Sequence, residues 1–529
     1  MRPPIKALIF ATMAALPAQA LAEEPLSAND WLSGSTALPR NISAWRPGDP
    51  LPPDARDLRP EAPAATRPQP RPGISDSAAA VPVGMTRLDG TNPDALGIIS
   101  ARQAGVPLDL WEGLGSHDAQ RVIAATPTPR IQAAHRLFRR VIDAQLNPPE
   151  LDGDTPEGAF FTARVDRLLD MGALPLARDM LASAGPGTTE RFRRMFDIAL
   201  LLGDEQAACQ MMDDAPGIAP SFAARIFCLA ARGDWPAAAL TYQVAARLGR
   251  IDDAHRALLA DFLDDASADT GEIHPAPDQV TPLLFRLHEA IGQPLATAPL
   301  PLAFAWSELR SNAGWKAQLD AAERLGRHDA IAPATLHLLY TAQRPAASGG
   351  VWERAAAVQA LDAALLTGDP ARIGAALVAA HRGMEEAGLR DMFARIYAEQ
   401  LNPAALSGPP ARLALWLRLW AGVTELEAAP AEPVDASLLA LASGGAPEPV
   451  TRRLSALAPV FAGDPGEPVP ARAEALFAAI SDADAGFDGD LPRAARGVAA
   501  LREMGLWADA RRIATQIALE PWLSGAGDG

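Results

Sequence analysis

Two cysteines are the first residues of this 529-residue sequence whose type and spacing can support chemistry. Cys209 and Cys228 flank a turn expected at 215–217, so they should lie on neighbouring antiparallel helices. In an oxidising compartment they can form a disulfide, which would contribute about 3 kcal/mol for a loop of this size. Alternatively, they are two small buried apolar residues that never meet. The sequence has no C-x-x-C motif, which argues against a redox role.

Two segments are superficially similar to metal-binding motifs. The segment 288–292 begins like the zinc motif H-E-x-x-H, but Gly292 stands where the second histidine is required. Aspartates between residues 482 and 490 resemble a calcium loop, but Gly486 replaces a ligand and Arg493 stands in the position of the closing glutamate. We therefore expect no metal ligand in either segment: the histidine should pack in a helix and the aspartates should form a solvated loop.

Other motifs of enzymes are missing from the sequence. It contains no G-x-S-x-G nucleophile elbow, no P-loop and no G-x-G-x-x-G dinucleotide motif. We therefore predict no catalytic residue, no cofactor-binding residue and no bound cofactor.

The acidic balance of the chain, with a formal net charge of −17, limits its partners. A surface this acidic repels phosphate backbones and anionic lipid headgroups, so binding to nucleic acid is disfavoured. Hydrophobic residues make up 49% of the chain but aromatic residues only 5%, so alanine and leucine supply much of the apolar mass. This composition favours closely packed helices over sheets.

Residues 1–22 are predicted to form a cleavable signal peptide. Arg2 and Lys6 supply a positive start, residues 7–16 form a short apolar core, and 20–22 is a small-x-small cleavage site. This core is too short to span a bilayer, and no later segment is long and apolar enough to do so. We therefore expect a periplasmic protein with no transmembrane span after cleavage.

Residues 23–90 are predicted to be a disordered, Pro-rich linker. Prolines are dense between residues 46 and 82 and large apolar residues are scarce, so the segment cannot offset the entropy of ordering. It is either a passive spacer or a peptide that docks on a partner, with Trp31 and Trp45 as anchors.

The rest of the sequence reads as consecutive helices, with one recurring phrase between them. A helix ends at a glycine, an acidic residue follows, and alanines occupy the first turns of the next helix. Gly203-Asp204 and Gly233-Asp234 carry this phrase 30 residues apart, which is room for two helices and two turns. The segment 325–330 repeats it later. We therefore predict helical hairpins that stack over 91–430, with residues 431–529 continuing the same array.

Around the second copy of the phrase, the chain resembles tetratricopeptide-type solenoids. Gly233, Ala237, Tyr242 and Ala245 match that family's neighbourhood, although its full aromatic and proline pattern is absent. The resemblance covers roughly 170–260 and implies a right-handed superhelical array of antiparallel hairpins that binds other proteins. The layout as a whole also looks like that of exported helical proteins of GC-rich Gram-negative bacteria.

Three functions fit these observations. The first is an exported, non-catalytic scaffold or regulator that binds other proteins of the cell envelope. The second is a peptidoglycan-acting enzyme, because lytic transglycosylases also contain a helical superhelix; Glu308 lacks the sequence context of their catalytic glutamate. The third is a glycan- or peptide-binding protein, and the aromatic residues that could line its groove are Trp235, Trp306, Trp315 and Trp352.

Overall fold

The computed structural model describes residues 92–215, 217–264, 273–464 and 466–525, and this part of the chain is mostly helical, with almost no strand. The predicted all-α class is therefore confirmed. The segments predicted as signal peptide, 1–22, and as linker, 23–90, lie outside the described residues. The only strands within the described residues are Ile99–Ser100 (β1) and Ala144–Gln145 (β2), which pair in parallel.

The α-helices follow one another in three groups along the chain. The first group comprises α1 (Ala101–Ala104), α2 (Ser116–Ala125), α3 (Gln132–Ile142), α4 (Ala159–Asp170) and α5 (Leu174–Ala184). The second comprises α6 (Thr189–Leu202), α7 (Glu205–Asp214), α8 (Phe222–Ala231), α9 (Trp235–Arg247), α10 (Asp253–Leu263) and α11 (Pro282–Ala290). After the 3₁₀ helix Leu302–Leu309, the third comprises α12 (Trp315–Arg327), α13 (Pro333–Thr341), α14 (Gly350–Thr367), α15 (Pro370–Glu386), α16 (Arg390–Tyr397), α17 (Pro409–Ala421), α18 (Pro433–Ser443), α19 (Arg452–Phe461), α20 (Ala473–Asp484), α21 (Leu491–Glu503) and α22 (Trp507–Leu523).

Two hydrophobic cores divide these helices into a body and a lobe. The body consists of the first and third groups, whose shared core extends from Ala104 to Leu523. This core includes residues on both sides of position 430, the boundary used in the sequence analysis. The lobe consists of α6 to α11 and has a core of its own, which includes Phe196 and Phe227. Helix α6 belongs to both, because Phe196 packs in the lobe core and Leu201 in the body core. The lobe is thus an insertion between α5 and the 3₁₀ helix.

The recurring Gly-acid phrase forms the helix junctions of the lobe. Gly203 and Gly233 both adopt φ 84°, a left-handed conformation that ends a helix at little steric cost. The side chain of Asp234 then accepts a hydrogen bond from the backbone N–H of Ala237 and caps α9. Asp204 starts α7 without such a side-chain hydrogen bond.

The later copy of the phrase, at 325–330, folds differently from the prediction. Gly326 lies inside α12, where an added Cβ would approach Leu389 Cδ2 to 2.9 Å. The left-handed residue that ends this turn is Asp329, with φ 49°. Close packing against Leu389, and not a turn, accounts for this glycine, and aspartate tolerates the left-handed conformation better than most residues do.

The body is closed by contacts between its first and last helices. Helix α22 packs against α3 as well as against α17, α18, α19 and α21. The backbone N–H of Ala133 donates to Gln516 Oε1 at 2.8 Å, and Arg140 Nη2 donates to Asp509 Oδ2 at 2.8 Å. A backbone hydrogen bond of 3.0 Å also joins Ala473 of α20 to the carbonyl of Leu110. The two ends of the described chain therefore stabilise each other.

A buried arginine of α4 fixes the start of the described chain. Arg164 is 2% exposed, and its guanidinium donates to the carbonyls of Ile142, Leu96 and Ala144 at 2.6–2.7 Å. It also donates to the carbonyl of Asp94 at 3.4 Å. Burial lowers the pKa of Arg164 to about 10, although Asp143 and Asp94 partly oppose this effect. The paired strands β1 and β2 are thereby attached to α4.

Candidate binding surface and cavity

The lobe carries both cysteines, joined as a disulfide. Cys209 on α7 and Cys228 on α8 have Cα atoms 5.2 Å apart, and both side chains are buried in the lobe core. The bond links the two antiparallel helices on either side of the turn near residue 217.

Of the four tryptophans proposed to line a groove, only two contact each other. Trp315 and Trp352 contact each other in the body, with ring centroids 5.0 Å apart. Trp306 lies in the 3₁₀ helix, and its Nε1 donates to the carbonyl of Gly172 at 2.7 Å. Trp235 lies in the lobe, at the start of α9, and is 47% exposed. The structure therefore brings two of the four side chains together and places the other two elsewhere.

The outer face of α9 is apolar and exposed. Leu240, Val244 and Leu248, the C-cap residue of α9, follow one another at four-residue intervals and are 64%, 49% and 65% exposed. Ala238 and Ala245, on the opposite face, are completely buried. Helix α9 contains a single charged residue, Arg247, although the chain is 21% charged. Contiguous exposed apolar patches of this kind usually mark binding sites.

A groove of about 460 Å³ lies beside Trp235, between α8, α10 and α11. Phe227 and Phe262 stack on its wall, with centroids 5.8 Å apart, and Trp235 packs against Phe262 at 5.7 Å. Its polar wall contains Glu289, which accepts hydrogen bonds from Arg310 at 2.7 Å. Burial acts to raise the pKa of Glu289, but the hydrogen bonds and positive charge of the arginines hold it below its usual value.

The segments that are superficially similar to metal motifs have other roles. His288 is 1% exposed in α11, as expected of a packed helical residue. Asp484 accepts the backbone N–H groups of Arg130 and Ile131 at 2.7 and 2.8 Å, and Asp490 caps α21. The prediction of a purely solvated loop is therefore wrong for Asp484. Within the described residues, no group of three or more metal-ligating side chains lies close enough to hold an ion.

A second candidate site is a cavity of about 470 Å³ where the closed ends of the body meet; we call it the closure cavity. Its walls come from five parts of the chain: residues 128–135, residues 327–328, the 385–391 turn, Trp420 of α17, and the C-terminal part from Gly486 to Glu520. No single helix could form it, because its walls come from separate parts of the chain.

The charged side chains of the closure cavity are balanced and paired. Arg390 contacts both Glu385, with Nε–Oε2 at 2.6 Å, and Glu520. Asp391 accepts from Arg136 Nη1 at 2.8 Å and from Trp420 Nε1 at 3.0 Å. The other two lining arginines contact acids outside the cavity: Arg130 pairs with Asp484 and Asp488, and Arg327 lies 3.6 Å from Glu323.

Two side chains that line the closure cavity have a buried polar atom without a hydrogen-bond partner among the described residues. His135 is 3% exposed, and its Nε2 has no hydrogen-bond partner there. Gln132 Oε1 is likewise buried without a partner. A buried polar atom without a partner costs about 1–3 kcal/mol, so such atoms need an explanation.

A third cleft, of about 860 Å³, lies where α2, α4 and the start of α6 meet. On its wall Arg194 pairs with Asp166 through two bonds of 2.5 and 2.8 Å. Arg167 donates to the carbonyl of Thr126 at 2.7 Å, and burial lowers its pKa. These charges are engaged within the protein.

Two buried carboxylates have raised pKa values, which is a common feature of catalytic acids. Burial raises the pKa of Asp143 to about 6 and that of Asp197 to about 7, in each case against the positive charge of nearby arginines. Neither residue lines the closure cavity or the cleft of about 860 Å³. Their burial therefore bears on stability more than on a reaction.

The sequence contained a signal for one of these sites. The spacing of Leu240, Val244 and Leu248 is visible in it, but Ala238 and Ala245 form a second apolar face on the same helix. An apolar stripe at helical spacing usually marks the core, so the sequence does not say which face is exposed. The closure cavity left no local signal, because its walls are far apart along the chain.

Comparison of the chain with protein-family models, with curated proteins and with solved structures found no match. Among the described residues, no helix has both the length and the apolar character that crossing a bilayer requires.

Proposed function

We propose that this is an exported, non-catalytic helical-repeat protein that acts in the cell envelope as an interaction scaffold or regulator. In this proposal a partner protein docks on the outer face of α9. The observation that supports it most is the exposure of Leu240, Val244 and Leu248 on one face of a nearly uncharged helix. Burying them against a partner would gain about 25 cal/mol for each Å² removed from water.

The proposed occupant is an amphipathic helix of another envelope protein. Side chains at four-residue intervals form a ridge that fits the groove of a second helix. Arg247 is exposed at the end of the same face. A carboxylate of the partner helix placed opposite Arg247 would set its direction, because charge complementarity contributes specificity.

The lobe is the part of the chain to which we assign the tetratricopeptide-like character. Helices α7 to α10 pack on their sequence neighbours, as successive hairpins of such an array do. A right-handed superhelical course of these hairpins is part of the proposal. The disulfide of α7 and α8 supports the proposed periplasmic location, because that compartment is oxidising.

Site-specific photo-crosslinking in the native envelope tests this proposal. A benzophenone side chain at Gln243, which is exposed on the same face of α9, should yield one discrete crosslinked protein. The crosslinked segment, made as a peptide, should bind the purified protein and gain helicity on binding.

A matched pair of substitutions controls the crosslinking experiment. Leu240→Asp should abolish the crosslink, whereas Leu366→Asp should retain it, because Leu366 is 89% exposed on α14 of the body. A crosslink between two copies of this chain, or one that survives Leu240→Asp, would contradict the proposed docking face.

A further inference from the structure

The described part of the chain begins at the rim of the cleft of about 860 Å³, which we call the entry cleft. Asp94 is 2% exposed, and its carboxylate accepts the backbone N–H groups of Gly158 and Phe161 at 2.9 and 2.7 Å. Gly158 lines the cleft, and a Cβ added there would approach Pro93 Cγ to 3.3 Å. The point at which residue 91 joins the described chain is therefore fixed beside this cleft.

The positive charges on the wall of the entry cleft are engaged within the protein. Besides the two arginines described above, Arg121 pairs with Asp118 at 2.5 Å. Arg191 donates to the carbonyl of Ala184 at 3.0 Å. The lining contains four arginines and four carboxylates, so its charge is balanced. A charged occupant would have to displace one of these contacts, which favours an occupant with little net charge.

Small and apolar side chains form much of the remaining wall. Ala159, Thr162 and Ala163 share one face of α4 and are half-buried. Ala124 of α2 and Pro156, which precedes α4, are exposed on the same cleft. Because these side chains are small, they leave a volume in which larger apolar side chains can gain contacts.

The sequence just before the described chain supplies such side chains. Residues 81–88 contain four large apolar residues, whereas residues 46–80 contain three in 35 positions. The four are Val81, Val83, Met85 and Leu88. Residues 81–91 carry one arginine and one aspartate, so their net charge is zero. The composition of this segment therefore matches a wall that is partly apolar and balanced in charge.

The same segment is held within reach of the cleft. A fully extended chain spans at most about 3.6 Å per residue, so Leu88 lies within about 14 Å of Asn92. An occupant attached by so short a connection has an effective concentration on the order of 1 mM. Weak apolar contact is therefore enough to favour it over a separate molecule that is present at a much lower concentration.

We propose that residues 81–91 occupy the entry cleft of the same molecule, with Val83, Met85 and Leu88 packed against its small side chains. The volume of about 860 Å³ is at the upper end of the range for small-ligand sites, which suits several side chains of a peptide. The linker predicted over 23–90 then ends in a docked segment and is unattached only up to residue 80. This proposal does not depend on the docking face of α9.

Photo-crosslinking of purified protein that contains residues 23–529 tests this proposal. A benzophenone side chain at Ala124 should crosslink to residues 81–91, as identified by mass spectrometry of the digested product. A mixture of ¹⁵N-labelled and unlabelled protein shows whether the crosslink forms within one molecule, because only a crosslink between two copies gives peptides of mixed label. Benzophenone at Leu366, which is 89% exposed on α14 and outside the cleft, is the matched control and should not crosslink to this segment.

Substitutions in the segment connect the crosslink to its apolar side chains. Val83→Ser together with Met85→Ser should lower the yield of the crosslink from Ala124 about fivefold or more, because both side chains lose their apolar contact with the wall. Ala64→Ser together with Ala65→Ser is the matched control, because it introduces the same residues further along the predicted linker. It should leave the yield unchanged.

Three outcomes would overturn the proposal. They are the absence of a crosslink from Ala124 to residues 81–91, products of mixed label that place a second copy in the cleft, and an equal yield after Val83→Ser with Met85→Ser. The crosslinking at α9 uses a different position and a different partner, so the two proposals fail separately.

Discussion

Replacing Arg164 by methionine should destabilise the body more than any surface substitution. Arg164 is 2% exposed and donates to four backbone carbonyls, three of them at 2.6–2.7 Å. Methionine occupies similar space but donates to none of them. A charge-assisted hydrogen bond contributes about 1.5–3 kcal/mol, and removal of the cation also relieves its own cost of burial. We therefore expect a net loss of about 3–5 kcal/mol in the free energy of unfolding.

Urea unfolding followed by circular dichroism measures this loss, and hydrogen exchange locates it. The backbone amides of Ile98 and Ile99, which donate to the carbonyl of Asp143, should exchange faster in Arg164→Met. The unfolding free energy of Arg164→Lys should lie between those of the wild type and the methionine variant. An ammonium still donates three hydrogen bonds, but it lacks the planar, five-donor geometry with which a guanidinium contacts several carbonyls at once.

Arg178→Met is the matched control, because the side chain of Arg178 is 49% exposed and pairs with Asp179 at the surface. It should change the free energy of unfolding by about 0.5 kcal/mol or less. A loss below about 1 kcal/mol for Arg164→Met, or an equal loss for both substitutions, would refute the role assigned to this arginine.

Two further predictions concern the lobe. Replacing both Cys209 and Cys228 by alanine should cost about 3 kcal/mol in urea unfolding of the oxidised protein, and reductant should then have no further effect; an unchanged unfolding curve would contradict it. Burial raises the pKa of Asp197 to about 7, so the folded state holds a proton that the unfolded state has released above about pH 4. Stability should therefore fall as the pH rises from about 4 to about 7, by up to about 4 kcal/mol at this site. Asp197→Asn should remove this part of the pH dependence, so a variant whose unfolding free energies at pH 5 and pH 8 differ as much as those of the wild type would disprove it.

The local features of the fold could be predicted from the sequence. Alanine and leucine favour helices, and the cap at Asp234 and the left-handed turn at Gly233 depend only on residues next to each other in the chain. Gly326 shows where this reasoning fails, because its role is a close approach to Leu389, which is distant in sequence. A glycine that ends a helix and a glycine that admits a neighbour cannot be told apart by local pattern.

The sites depended on long-range contacts, which the sequence did not reveal. Arg140 and Asp509 are 369 positions apart, and the chain contains many other arginines and aspartates that could pair. The walls of the closure cavity are likewise far apart along the chain. The exposed face of α9 had a visible pattern, but burial or exposure of an apolar stripe depends on which helices pack against it.

The closed body also limits how the protein can change in length. A stack with open ends can gain or lose a hairpin at either end, because each unit contacts only its neighbours. Here an extra helix within the body would move Asp509 away from Arg140, so the number of helices is set by the geometry of closure. Helices inserted between two helices of the body, with a core of their own, leave this contact in place. The lobe is such an insertion, because its chain leaves the body after α5 and returns before the 3₁₀ helix.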